Sequence, residues 1–102
     1  MGRKLEAAYI AAFRQHLLEE ERETATIEKY LRDVRGFAAW IKAQAVTKEI
    51  VTRWKEQLVT SGCQPVTING KISAVNKFFA FLGWMECRVK YLKIQRRMFR
   101  NT

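Results

Sequence analysis

The sequence predicts an all-α fold, a bundle of four helices followed by a basic segment. Four stretches repeat apolar residues at i, i+3, i+4 and i+7, the signature of a helix with one buried face. No stretch alternates apolar and polar residues, or carries enough turn dipeptides, to read as a hairpin. The length of 102 residues, 48% of them hydrophobic, suits one domain with a real core.

Leu5, Ala8, Tyr9, Ala12, Phe13, His16 and Leu17 form the first stripe. They predict a helix over residues ~4–20, closing in the acidic run Glu19–Glu20–Glu21. His16 lies on that stripe and is expected as a core or interface histidine, not a ligand. The second stripe runs through Ile27, Tyr30, Leu31, Val34, Phe37, Ala38 and Ile41, with Thr24 as the expected N-cap. Ile50, Val51, Trp54 and Leu58 make a shorter third helix, capped by Thr47 and stopped by Gly62. The fourth uses Ile68, Ile72, Val75, Phe78, Phe79 and Leu82. Pro65 falls near its first turn, where a missing N–H does no harm, and Gly83 ends it. Residues 84–102 then lose the pattern. If helical, they would align Lys90, Lys93, Arg97 and Arg100 on one side and turn Val89 and Leu92 to another. The organisation expected is a helical domain over 1–83 and a basic segment over 84–102.

Charge points to a polyanion. Nineteen Lys and Arg against ten Asp and Glu leave +9, and the excess grows along the chain. Residues 1–23 are net −1, residues 24–62 net +3, and residues 63–102, with eight bases and one acid, net +7. Such a gradient favours nucleic acid over simple solubility. The longest apolar run, Phe78 to Met85, falls short of the ~20 residues that span a bilayer. Glu6 breaks any leader-like apolar stretch at the start. No helix pairs a Lys/Arg-rich face with a dominating apolar face, so a membrane surface is a weak candidate. A soluble, cytoplasmic protein is expected. Cys63 and Cys87, 24 residues apart, match no zinc spacing and are expected as reduced thiols, with no metal and no cofactor.

Catalytic constellations are missing from the sequence. It has no carboxylate pair in an apolar context, no Ser/His/Asp set, no Cys/His arrangement with a third member and no phosphate-cradling glycine loop. The faces opposite the core say more. At about 100° per residue, Lys29, Arg32 and Gly36 point away from the stripe of the second helix. On the fourth, Val66, Asn69, Gly70, Ser73 and Lys77 point outward, flanked by Thr67, Lys71 and Asn76. No acid occurs from Gln64 to Phe81. Small residues there allow close approach to a groove, and the Asn amides suit base edges or phosphates.

The segments ETATIEKYLRDVRGFAAWI (23–41) and VTKEIVTRWKEQLVTSGCQPVTINGKISAVNKFFAFL (46–82) resemble the core-binding domain of tyrosine recombinases, the phage integrase family. The resemblance spans residues ~5–82. It keeps the order and spacing of Thr67–Ile68–Asn69, Ser73–Ala74 and Phe78–Phe79–x–Phe81–Leu82. The tail KYLKIQRRMFR (90–100) resembles the linker into the catalytic domain of some integrases. Departures are Gly70 and Asn76 where many members have Arg or Lys, Gln64 in place of Ser, and Cys87–Arg88–Val89 in place of Asn-Pro.

This resemblance implies a four-helix SAM-like bundle that grips one face of duplex DNA at a recombination core site. Its second and fourth helices approach the major groove. By position it nominates Thr26, Lys29 and Arg32, then Thr67, Asn69, Lys71, Asn76 and Lys77. Ser73 on the same face and Lys90, Lys93, Arg96 and Arg97 in the tail complete the expected DNA-binding set. Strand exchange in the family needs a separate domain with an arginine pair, Lys/His partners and a nucleophilic tyrosine. Tyr9, Tyr30 and Tyr91 match no such motif, so residues 1–102 are expected to bind DNA without cutting it, as a monomeric fragment or module. Other recombinase protomers on DNA are the partners the resemblance implies for the full-length protein. A helix-turn-helix regulator, with residues 50–80 as its two helices, and a protein-interaction bundle built on the first helix are the alternatives.

Overall fold

The computed structural model describes residues 3–93. It shows α1 (Ala7–Glu19), α2 (Thr24–Ile41), α3 (Lys48–Thr60), α4 (Pro65–Leu82) and a 3-10 turn at Met85–Cys87. Among the described residues no strand forms; Arg3 and Val46 make one isolated antiparallel bridge. The all-α bundle expected from the four stripes is the observed fold.

The two 18-residue helices, α2 and α4, are the central pair. α1 and α3 each pack on both of them without touching one another. The larger residues of the predicted stripes are what these contacts bury, while Ala8 and Ala12 of the first stripe stay exposed. Phe13 and Leu17 of α1, Val34 and Phe37 of α2, Val51 of α3, and Ile72, Val75, Phe78 and Phe79 of α4 are all fully buried. Aromatic edges tie the helices together. The Phe37 ring stands 5.0 Å from Trp54 and 5.8 Å from Phe79, and Phe13 lies 5.2 Å from Phe78. Each fully buried ring of this kind contributes about 1.5–3 kcal/mol of transfer free energy.

Thr47 and Gly83 bound their helices as local chemistry expects, whereas Thr24 does not. Thr47 Oγ1 accepts from the Ile50 N–H at 3.1 Å, satisfying one of the free donors at the start of α3. Gly83 ends α4 at φ 80°, a left-handed conformation that costs glycine little. Thr24, however, is the first helical residue of α2 and not its cap. Glu23 takes the extended cap position at φ −67° and ψ 148° with no side-chain bond. The reason lies in the preceding turn, where the Arg22 N–H still bonds to Leu17 O, leaving Glu23 as the extended link. His16 is half-buried, its ring 4.8 Å from Phe81 and its Nε2 3.1 Å from a Glu20 carboxylate oxygen.

Packing continues beyond Gly83. Trp84 meets the Tyr9 ring edge-on at 5.9 Å, and the Arg3 guanidinium lies over Trp84 and pairs with Glu86. Cys87 and Val89 join the core at 2% and 7% exposure. From Arg88 to Lys93 the chain is not helical. The helical alignment considered for Lys90 and Lys93 therefore does not form there.

Candidate nucleic-acid interface

The open face of α4 is narrower and less uniformly basic than its sequence. Val66, Ser73, Lys77 and Gly70 lie within a sector of about 60° at ~100° per residue, opposite the buried stripe. Two lysines beside this face share one buried carboxylate. Asp33 of α2, with a side chain only 4% exposed, accepts from Lys29 Nζ at 2.7 Å and lies 3.6 Å from Lys71 Nζ. Lys77 in turn stands 3.9 Å from Glu20. The acid-free run from Gln64 to Phe81 is thus lined with acid by other elements. Lys29 remains about half exposed, so its ammonium reaches the surface while it neutralises Asp33.

Gly70 accommodates this lysine. A Cβ at position 70 would lie 3.2 Å from Lys29 Nζ, so the tip of the side chain rests against α4 where α4 has no side chain of its own. Thr67 is exposed, while Thr26 and Ser73 are half-buried. Arg32 lines a cleft with Lys29, Thr67, Gly70 and Lys71 on one side, and on the other a cleft of about 460 Å³ with Arg14 and Arg35 over Ile27 and Leu31. Among the described residues Arg14, Arg32 and Arg35 form no ion pair. Nothing in the sequence joins Arg14 to this group; only the packing of α1 on α2 does so.

Asn69 and Asn76 sit differently from the expectation that their amides face a groove. Asn76 Nδ2 donates to Val89 O at 2.8 Å, and its Oδ1 accepts from the Val89 N–H at 3.0 Å. Asn69 repeats the pair on Leu92, at 3.0 and 2.7 Å. Across the same segment, Lys48 Nζ donates to Arg88 O and Lys55 Nζ to Lys90 O, both at 2.6 Å. Residues 88–92 therefore run between α3 and α4 as a single docked segment, a strand only in the sense that its main chain is bonded by side chains from both walls and not by a sheet. Arg88, Lys90, Tyr91 and Lys93 are exposed along it. Arg96 and Arg97 lie outside the described residues. Lys48 and Lys55, which the sequence did not single out, could have been noticed as a basic pair seven positions apart on one helix face.

Titration adds two constraints. The hydrogen bond from Arg22, with lesser help from Lys77 and His16, holds the Glu20 carboxyl below its usual range. Burial, and then the neighbouring Glu86 charge, push the Cys87 thiol up, so it is a poor nucleophile. Among the described residues no three His, Cys, Asp or Glu side chains gather as a metal site. No helix there is long and apolar enough to cross a membrane.

Four helices with α2 and α4 central, and a basic segment seated beside α4, make an all-α helical domain. The family described as phage integrase, N-terminal SAM-like domain matches residues 10–86, and the chain belongs to that family. Comparison with curated proteins and with solved structures gives no match.

Proposed function

We propose that this chain binds double-stranded DNA as the core-binding module of a site-specific tyrosine recombinase, without itself breaking or joining strands. The carrying observation is the lateral succession of cations across one surface. Lys29 and Arg32 of α2 border the open face of α4 on one side, and the strand bearing Arg88, Lys90 and Lys93 borders it on the other. Duplex DNA carries one negative charge per ~1.7 Å of axis, and a strip of cations flanking an α-helix matches a groove with its two phosphate walls.

Lys29, Arg32, Lys71, Lys77, Lys90 and Lys93 then supply phosphate contacts, which orient the module without reading sequence. Arg96 and Arg97 extend the same run of charge. Thr26, Thr67 and Ser73 are the small hydroxyl donors nearest the groove. Residues 1–83 carry the helices of the binding bundle, Cys87 and Val89 complete its core, and 84–102 form the segment leading toward a catalytic partner domain. Other recombinase protomers on DNA are its partners, and the cytoplasm is its setting.

The test is fluorescence anisotropy with a labelled duplex over a range of salt. Four to seven phosphate contacts give a log–log slope of about −4 to −6, at ~0.9 per neutralised phosphate. Absence of binding at about 50 mM salt, where electrostatic affinity is strong, overturns the proposal.

A further inference from the structure

We infer that Asn69 and Asn76 are positioning residues. They hold the strand 88–92 in the α3–α4 groove, so that the docked strand, and not the asparagine amides, forms part of the DNA-facing surface. The inference rests on the DNA-binding reading above and assigns the division of labour within it.

The geometry of the clamp is matched in pitch. Seven positions along a helix rise about 10.5 Å at ~1.5 Å per residue. Three extended residues cover about 10 Å at ~3.3 Å each. Asn69 and Asn76 are seven apart, and their targets, Leu92 and Val89, are three apart and run in the opposite sense. Each amide uses its donor and its acceptor on one residue's main chain, the pairing that a neighbouring β-strand would supply. Lys48 and Lys55, also seven apart, bond the carbonyls of Arg88 and Lys90 from the opposite wall, their flexible stems taking up the difference in spacing.

Two further observations favour the docked strand as the form that meets DNA. First, Val89 is 7% exposed within the core, so releasing the strand exposes apolar surface and frees bonded main chain together. Second, docking concentrates charge. Lys48, Arg88 and Lys90 line one small surface cleft with Glu86 as its only acid, and Glu86 is already paired with Arg3. Like charges brought together this way repel until an anion lies among them, and a phosphate backbone is such an anion. The strand therefore gains most from DNA while it is seated. Asn69 and Asn76 occupy the border between the buried stripe of α4 and its open face, so the strand they hold lies directly beside that face.

Hydrogen exchange on the full chain tests this, read at the Val89 and Leu92 amides with and without duplex DNA. Expected are slow exchange in the free chain and equal or slower exchange in the complex. Faster exchange at both amides on DNA binding means that the asparagines have left the strand for the bases, and overturns the inference. Two variants give an independent check. Asn69→Leu with Asn76→Leu removes both bonds at each clamp point from the helix side, whereas Val89→Pro with Leu92→Pro removes from the strand the two N–H donors to the Asn Oδ1 atoms and leaves each asparagine only its Nδ2 bond to a carbonyl. Both variants should lose about tenfold in affinity, the cost of ordering three cationic side chains anew, equally on site-bearing and random duplex. Lost site preference in the asparagine variant alone also overturns the inference. Circular dichroism and thermal melts of each variant identify any that fails to fold. If the chain binds no duplex at all, the DNA-binding reading fails, while protected Val89 and Leu92 amides, lost in the asparagine variant, would still establish the clamp.

Discussion

Asp33 gives the sharpest test of the interior electrostatics, because its two partners differ from it in exposure. The carboxylate is 4% exposed, whereas Lys29 and Lys71 are 48% and 35% exposed. Lys29→Met keeps an aliphatic side chain beside Gly70 but removes the donor at 2.7 Å. The carboxylate then depends on Lys71 at 3.6 Å. A hydrogen bond to a charged group contributes ~1.5–3 kcal/mol, and leaving a buried charge with no partner costs ~3–5 kcal/mol. With one lysine remaining, a loss near 2 kcal/mol is expected from the lower of those ranges. At roughly 4–8 °C per kcal/mol for a domain of this size, the melting temperature should fall by about 10 °C. Asp33→Asn should cost less, about 1 kcal/mol, because both lysines can turn to water. It should also raise duplex affinity several-fold at low salt, since a unit charge at ~4 Å in water is worth about 1 kcal/mol. Urea denaturation of both variants, with anisotropy on the second, makes the measurement. If Lys29→Met changes stability by less than about 0.5 kcal/mol, as an ordinary surface pair does, then Asp33 is not held as described.

Two other outcomes are accessible to simple assays. Thr47→Ala should lower stability by ~1 kcal/mol through loss of the cap bond to Ile50, with Thr47→Ser close to the parent in the same urea titration. Iodoacetamide should label half-exposed Cys63 first and spare Cys87, which is buried and whose thiol is held protonated. Mass spectrometry of timed samples reads the order, and early labelling of Cys87 would show that the 3-10 turn and the strand after it are open.

The helices, most of their ends and nearly all of the core were legible in the sequence, because a 3.6-residue period and a glycine or proline at a helix end are local properties. Phe37 and Phe79 announce their burial by position alone. Thr24 has the residue type of a cap without being one, because a cap is set by which residue is extended, and the α1–α2 turn closing on Leu17 leaves that to Glu23. The surface was less legible. An acid-free α4 face is a true statement about residues 64–81, yet Asp33 and Glu20 reach it from α2 and from the end of α1. Asn69 and Asn76 look like groove-reading amides until the chain after Gly83 is folded back onto them. The composition and order of the sequence determined a basic, four-helix SAM-like domain. Which cations are paired, and what the asparagines hold, was decided only by tertiary structure, because hydrogen bonds and ion pairs act over a few ångströms in space between residues far apart in the chain.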